Sequence, residues 1–175
     1  MLIILAKKTD CPAILDLLKC CAMELQQQDI YQWNDQYPSL AIIEKDIQLG
    51  QLYLLKSDKK IIGTIVLSAL KDEEYNAIHW KNEHHKALYI HRLAVDPQEQ
   101  GKGHAQKLMD FAENYARTHQ YDSIRLDTFS QNERNQRFYS KRGYEHRGEI
   151  YLPAQSNAPF YCLEKQHLNA SNPLS

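Results

Sequence analysis

The run of residues 87–129 constrains the fold of this chain more than any other segment. Residues 87–95 have the apolar and β-branched character of a strand, and the Asp96-Pro97 pair ends it, because proline cannot continue a hydrogen-bonded ladder. Residues 101–119 carry apolar side chains at helical spacing, and residues 123–129 return to a strand pattern. A strand, a helix and a strand in succession predict a right-handed crossover between two parallel strands.

The segments around this unit predict hairpin-linked strands and further helices. Residues 51–56 and 60–69 predict an antiparallel hairpin. Other strands are expected at 2–7, 144–152 and 160–164, and other helices after Thr9, after Ser39 and over 132–142. We therefore expect an α/β (α+β) fold: a mixed, mostly antiparallel twisted sheet with a parallel central strand pair and helices on both faces. A single domain is expected over residues 1–168, followed by a short C-terminal tail over 169–175.

Charge and hydropathy argue against several classes of partner. The chain has 21 Lys and Arg against 22 Asp and Glu, so it shows no electrostatic footprint for nucleic acid or an anionic membrane. Its longest apolar stretch, residues 61–70, is about half of what a membrane-spanning helix needs. No basic segment precedes the apolar run at the N-terminus, so it does not resemble a signal peptide. We expect a soluble cytoplasmic protein.

The cysteines give no indication of a metal site. Cys11, Cys20, Cys21 and Cys162 include no CxxC pair, and no histidine lies at a spacing suited to zinc. We expect reduced thiols and no bound metal.

Residues 100–105, Gln-Gly-Lys-Gly-His-Ala, form a glycine-containing turn where the strand meets the helix. The first amides of a helix lack internal partners and its dipole makes that end positive, so small residues there allow N–H groups to approach phosphate oxygens. A plain turn that starts a helix is the alternative for this short pattern. A Walker loop is excluded because His104 follows Gly103, and a dinucleotide fingerprint because Gln106 stands at the third glycine position.

With the preceding Leu93-Ala94-Val95-Asp96-Pro97, this turn resembles the acetyl-CoA signature of the GCN5-related N-acetyltransferase (GNAT) superfamily. The family pattern is Arg or Gln, two residues, Gly, one residue, and Gly or Ala, and Gln100, Gly103 and Ala105 match it. A second family block is present in order over residues 132–144, and the resemblance in element order spans about residues 2–165. His104 departs from the pattern, since relatives usually carry an apolar residue there.

The resemblance implies an N-acetyltransferase that uses acetyl-CoA as co-substrate and acetylates a primary amine of a small molecule or peptide. It also implies a bulge that splays the 87–95 strand from its parallel neighbour. A non-catalytic acyl-CoA-binding sensor or interaction module with the same fold is the alternative, and a homodimer formed through the closing strands at 145–164 is compatible with either. The residues implied in coenzyme binding are Leu93, Ala94, Val95, Gln100, Gly101, Lys102, Gly103, His104, Ala105, Asn132, Asn135 and Tyr139.

The resemblance further implies three catalytic groups. The Leu93 N–H would face the acetyl carbonyl, where a backbone donor stabilises developing negative charge. Tyr139 would act as general acid toward the departing thiolate, although a plain core tyrosine also fits the helical pattern. His91 lies two residues before Leu93, on the same face of an alternating strand, and is the candidate base, directly or through water. A structural role for His91 is the alternative, and Arg92 is expected to point away.

In the family, the acceptor side is lined by the first two helices, their connection and the loop before the signature strand. The matching residues here are Tyr31, Trp33, Asp35 and Tyr37, with Glu73, Glu74, Tyr75 and Trp80 opposite. Aromatic rings with carboxylates suit a cationic amine through cation–π and ionic contacts. The alternative is that Trp33 and Tyr37 only anchor a loop to the core.

Overall fold

The computed structural model describes residues 1–58, 60–84 and 86–166, and within these the chain forms seven strands and four α-helices. The strands are β1 (Leu2–Leu5), β2 (Leu52–Ser57), β3 (Lys60–Ser68), β4 (Ala87–Val95), β5 (Ser123–Phe129), β6 (Glu145–Ile150) and β7 (Phe160–Gln166). The helices are α1 (Cys11–Gln26), α2 (Leu40–Gln48), α3 (His104–Thr118) and α4 (Glu133–Lys141). The predicted tail, 169–175, and the last two residues of the predicted domain lie outside the described residues.

The strands form one sheet in the order β1-β2-β3-β4-β5-β7-β6. Parallel pairing joins β4 to β5, and the other described pairs are antiparallel, which confirms the predicted mixed sheet. Because β7 lies between β5 and β6, both of its edges are already paired. A homodimer through the closing strands would therefore have to use the free edge of β6.

Helices cover both faces of the sheet because successive strand residues point to opposite sides. Ile65 packs in one core with Leu108 of α3, whereas its neighbour Val66 packs in a second core with Ile14 of α1 and Ile43 of α2. All five of these side chains are 0% exposed, and burying each one stabilises the fold by about 1.5–3 kcal/mol. The two cores hold α1 and α2 on one face and α3 on the other.

A third core covers the rest of the α1–α2 face. The connection over residues 71–86, which includes a 3₁₀ turn at Glu73–Ala77, places Tyr75 and Trp80 over Tyr89 of β4 and Phe129 of β5. Long loops in compact domains are often functional. This one forms a wall beside the place where β4 and β5 separate.

The central parallel pair opens halfway along its length. Its register runs from Ala87 opposite Ser123 to Ile90 opposite Leu126 and continues no further. On its other edge β4 contains a bulge, because Ala94 pairs with Thr64 and His91 with Val66, which leaves two β4 residues opposite the single residue between them. This opening in the sheet is where the candidate site lies.

Candidate active site

Two cavities meet at the opening between β4 and β5. One, of about 450 Å³, lies at the N-terminus of α3 and is called the α3 cavity. The other, of about 500 Å³, lies between α2 and the 71–86 connection and is called the α2 cavity. The residues that line both are Gln32, Trp33, Leu93, Asn135 and Tyr139. A molecule in one cavity would therefore reach a molecule in the other at Leu93 and Tyr139.

The turn before α3 opens toward the α3 cavity. Gly101 has φ +78° and Gly103 has φ +81°, in the left-handed region that L side chains rarely adopt. For this reason the helix predicted from residue 101 begins at His104. A Cβ placed on either glycine would meet no described atom within 4 Å, and both residues line the α3 cavity.

His104, the departure from the family pattern, is buried at this turn. The residue is 6% exposed and lines the α3 cavity. Its Nε2 lies 3.7 Å from Glu99 Oε2, while its buried Nδ1 has no hydrogen-bond partner among the described residues. A buried polar atom left unpaired costs free energy, so a polar partner for Nδ1 would stabilise this turn.

Side-chain hydrogen bonds fix the rim of the α3 cavity. Gln100 Nε2 donates to Val95 O at 3.2 Å, and Cys21 of α1 donates from Sγ to the same oxygen at 3.3 Å. Asn132 caps α4, its Oδ1 accepting from Asn135 N at 3.1 Å, and its Nδ2 donates to Gln32 Oε1 at 3.0 Å. The end of β4 and the start of α4 are thus held beside the helix α3 N-terminus.

Two residues predicted for the coenzyme site do not line this cavity with their side chains. Lys102 extends outward, with Nζ 2.8 Å from Glu99 Oε2. Ala94 packs into the core beneath α1 because its Cβ points to that face of β4. Any contact of these two residues with a ligand would have to come from the backbone.

Tyr139 of α4 lies at the junction of the two cavities. The side chain is buried, and no described residue is hydrogen-bonded to its hydroxyl. Burial, reinforced by the negative charge of Asp127, raises the pKa of the Tyr139 phenol well above its ordinary value. The group therefore stays protonated at neutral pH and can donate a proton.

Arg92 lines the α2 cavity, against the expectation that it points away. The β4 bulge places Arg92 and Leu93 together opposite one β3 residue, and Arg92 has φ +49°, so side-chain alternation fails there. Its guanidinium is hydrogen-bonded to Asp46 of α2 at 2.7 and 2.9 Å and to the Tyr37 hydroxyl at 3.0 Å. Neither Arg92 nor Asp46 was a candidate from the sequence.

His91 also lines the α2 cavity, but its surroundings make it a weak base. The imidazole stacks on the Tyr75 ring at 6.2 Å between centroids, and Nδ1 lies 3.8 Å from Asp72 Oδ2. Burial and, to a lesser extent, the positive charge of Arg92 lower the pKa of His91 to about 3. The ring is therefore neutral at physiological pH.

Asp127 of β5 is a cavity carboxylate that the sequence interpretation missed. It is partly exposed to the α2 cavity and accepts a hydrogen bond from the Tyr75 hydroxyl. Burial raises the pKa of Asp127 to about 6, although the Tyr75 hydrogen bond opposes this shift. The sequence did contain an indication of it, because Asp127 is a carboxylate within the apolar strand Ser123–Phe129. Burying a carboxylate in a sheet without a partner costs free energy, so such a residue is expected to have a specific role or partner.

The residues predicted for the acceptor side separate into two groups. Trp33 and Tyr37 line the α2 cavity, as do Glu74 and Tyr75. Tyr31, Asp35 and Trp80 do not.

Each of these three has a local reason for its position. Tyr31 is 54% exposed, in the connection between α1 and α2. Asp35 lines a separate small cavity beside α1 and the start of α2. Trp80 is buried in the third core, where its indole lies 4.7 Å from the Arg125 guanidinium and donates from Nε1 to Tyr75 O at 3.3 Å. Trp80 supports the cavity wall from behind.

The α2 cavity has an excess of carboxylates. Arg92 pairs with Asp46, which leaves Asp72, Glu74 and Asp127 with Lys45 as the remaining cation of the lining. Such an excess of negative charge attracts a cationic ligand.

The described residues contain neither a cluster suited to a metal ion nor a helix suited to a membrane. They contain no group of three or more His, Cys, Asp or Glu placed to hold a metal ion. None of the helices that the structure describes is both long and apolar enough to cross a membrane.

The chain matches known proteins over most of its length. The model of the acetyltransferase (GNAT) family matches residues 12–144. A Bacillus subtilis protein named uncharacterized N-acetyltransferase YesJ is 26% identical over 141 residues, which cover 79% of this chain and 78% of YesJ. A solved GNAT-family acetyltransferase from Streptococcus agalactiae is 25% identical, with a TM-score of 0.80 and 95% of each chain covered. The structure of yncA from Salmonella typhimurium with its cofactor acetyl-CoA shares the fold, at 19% identity, a TM-score of 0.68, and 95% and 93% coverage.

Proposed function

This chain belongs to the GNAT family of acetyltransferases, and on that basis we propose that it transfers the acetyl group of acetyl-CoA to a primary amine of a small molecule or peptide. The observation that carries the proposal is the meeting of two cavities at Leu93 and Tyr139. Transfer between two bound molecules requires that both be held together in reacting geometry, which removes much of the entropic barrier. Two cavities with a common wall provide such an arrangement.

The α3 cavity is the proposed coenzyme site. The residues present fit a diphosphate, because Gly101 and Gly103 lead into the N-terminus of α3 and line this cavity without side chains that would fill it. His104, whose buried Nδ1 has no hydrogen-bond partner among the described residues, lines the same cavity. Val95 and Asn135, at the rim, would hold the arm that extends from the diphosphate toward Leu93.

The reacting groups are proposed at the junction. The Leu93 N–H, in the β4 bulge, would donate to the acetyl oxygen as negative charge develops there, an interaction worth about 2.7–4 kcal/mol in comparable sites. The Tyr139 hydroxyl would donate its proton to the sulfur as the thiolate departs. No described residue is hydrogen-bonded to this hydroxyl, and the side chain lines both cavities, so the hydroxyl is available for that role.

The α2 cavity is the proposed acceptor site. Its excess of carboxylates favours an ammonium group, and the rings of Trp33 and Tyr37 add faces on which a cation can rest. A primary amine is the cation whose nitrogen, once it loses a proton, can attack a thioester.

The test is acceptor-dependent release of coenzyme A. The protein is mixed with acetyl-CoA and each of a panel of amines (1,4-diaminobutane, an amino acid, an aminoglycoside and a lysine-containing peptide), and free thiol is trapped. We expect thiol release that depends on at least one amine, with the acetylated product seen by mass spectrometry. Tight acetyl-CoA binding without release for any amine would favour the non-catalytic sensor instead.

A further inference from the structure

Resting on this proposed function, we infer that Asp127 is the general base that removes a proton from the acceptor amine, and that Tyr75 is its positioning residue. His91, the base expected from the sequence, lies on the same face of the sheet. Neither the family match nor the fold assigns this role to Asp127.

The position of Asp127 follows from the opening of the sheet. Leu126 is the last β5 residue paired with β4, so Asp127 is the first residue to face the gap that opens beyond it. The same gap contains Leu93 and Tyr139, the groups proposed to bind the acetyl oxygen and the leaving sulfur. Asp127 lines the same cavity as Leu93 and Tyr139, so we place the amine nitrogen beside its carboxylate when it approaches Leu93.

Tyr75 fixes this carboxylate. Its hydroxyl donates to Asp127 Oδ1, and its ring is held between Tyr89, at 5.6 Å, and Trp80, also at 5.6 Å. The carboxylate also accepts from its own backbone N–H, and among the described residues no other side chain is hydrogen-bonded to it. Preorganised side chains of this kind give proton transfer its geometry.

The surroundings of Asp127 set its proton affinity. The titratable and charged groups that face it are Asp72 and Tyr75 from the 71–86 connection, Arg92 from β4, Cys162 from β7, Tyr139 from α4, and Tyr37. With a pKa of about 6, Asp127 is mainly ionised at pH 7 and is able to accept a proton. Its proton affinity exceeds that of His91, with a pKa of about 3, by about a thousandfold.

The protons balance over one turnover. An ammonium enters and gives one proton to the Asp127 carboxylate, and the neutral nitrogen forms a bond to the acetyl carbon. The carbon–sulfur bond then breaks, Tyr139 gives its proton to sulfur, and Tyr139 recovers a proton from the nitrogen as the amide forms. Asp127 releases its proton to solvent, so the net products are the amide, free coenzyme A thiol and one proton.

The experiment is a pH–rate profile with the amine that gives the fastest release in the panel. If ionised Asp127 reacts with the ammonium form, kcat/KM for the wild type rises through pH about 6 and is then flat up to the pKa of the amine, about 10.4. In Asp127→Asn the reaction must wait for the neutral amine, so kcat/KM rises about tenfold per pH unit up to that pKa. At pH 7 the variant is slower by about 10²–10⁴-fold, with acetyl-CoA affinity unchanged.

Tyr75→Phe provides the second test. It keeps the ring but removes the hydrogen bond that lowers the pKa of Asp127, so the acid limb of the profile moves to higher pH. His91→Asn leaves the position of that limb unchanged, whatever it does to the rate. If Tyr75 has only a structural role, Tyr75→Phe would change kcat/KM without moving the acid limb of the pH–rate profile.

The outcomes separate the two proposals. If the wild type acetylates an amine and Asp127→Asn keeps both its rate and its plateau, Asp127 is not the base while the proposed function stands. If the limb follows His91→Asn rather than Tyr75→Phe, the base is His91. If the wild type acetylates no amine, the proposed function itself fails.

Discussion

The Arg92 guanidinium grips the Asp46 carboxylate with two parallel hydrogen bonds, Nε to Oδ2 at 2.7 Å and Nη2 to Oδ1 at 2.9 Å. The side chains are 12% and 7% exposed. The pair joins the bulge of β4 to helix α2, so one interaction holds both the strand at which the sheet opens and a helix that lines the α2 cavity.

Removing one partner of this pair should destabilise the protein strongly. Asp46→Ala leaves the Arg92 charge buried without its carboxylate, and we expect the free energy of unfolding to fall by about 3–5 kcal/mol. The double substitution Asp46→Leu with Arg92→Met should lose less, because no uncompensated charge remains. Urea denaturation of the three proteins checks this.

The pair between Arg137 and Glu133 is the matched control. Its N–O distance is 3.1 Å, but the side chains are 68% and 78% exposed, so water already solvates both charges. Glu133→Ala should change the free energy of unfolding by less than about 1 kcal/mol. If Asp46→Ala and Glu133→Ala lower the free energy of unfolding equally, burial of Arg92 is not the reason why the protein needs the Asp46 carboxylate.

Tyr139→Phe should slow turnover by about 10²–10⁴-fold because the proposed proton donor is lost, while the ring stays to pack. The dissociation constant for acetyl-CoA, measured by calorimetry, should be unchanged.

Tyr144→Phe serves as control for Tyr139. The two rings are 5.8 Å apart, but the Tyr144 hydroxyl is hydrogen-bonded to Glu113 and lines neither cavity. Its loss should cost stability of about 1 kcal/mol and leave kcat where it was. If Tyr139→Phe turns over as fast as the wild type, Tyr139 is not the general acid.

Gly103→Ala should weaken acetyl-CoA binding about tenfold or more, a free-energy change of about 1.4 kcal/mol. The new Cβ strains a left-handed residue and fills space that faces the proposed diphosphate.

Gly143→Ala is a close match for this substitution. Gly143 has φ +83° and equally open surroundings, but it ends α4 outside both cavities. The two variants should lose similar stability in thermal unfolding, with the affinity change confined to Gly103→Ala. Similar affinities for both would count against the diphosphate site.

Asp127→Asn should stabilise the protein above pH 6. The pKa of Asp127 is raised from 3.8 to about 6, so between these values the folded state binds more protons than the unfolded state and stability falls as pH rises. The full difference is at most about 3 kcal/mol, reduced by the water that reaches the cavity. Chemical denaturation at pH 3.5 and pH 8 checks this: the variant should gain stability over the wild type at pH 8 but not at pH 3.5.

Most of the fold could be predicted because its signals are local. Hydrophobic periodicity and the positions of Pro and Gly predicted β4 and β5 at Ala87–Val95 and Ser123–Phe129. The helical segment between them predicted that the two strands are parallel. These patterns reflect which face of each helix or strand is buried, because apolar residues recur in the sequence at the spacing of that face.

The candidate site was less accessible, because its charged groups come from separate elements. Arg92 was expected to point away because side chains alternate in a regular strand. The resemblance implied a bulge in this strand, but no local pattern marks the residues at which it reverses the alternation. Asp46 and Asp127 join the same cavity only through the order of elements in space. Trp80 was expected at the cavity surface because it is an aromatic residue in a polar loop. The structure buries it in the third core, behind the cavity wall.

The five residues common to the two cavities have a consequence for how such an enzyme could diverge. Helix α2 and the 71–86 connection line the α2 cavity, the proposed acceptor site, whereas the turn before α3 lines the α3 cavity, the proposed coenzyme site. Substitutions in the first two segments can therefore change the preferred amine without changing the binding of the acyl donor.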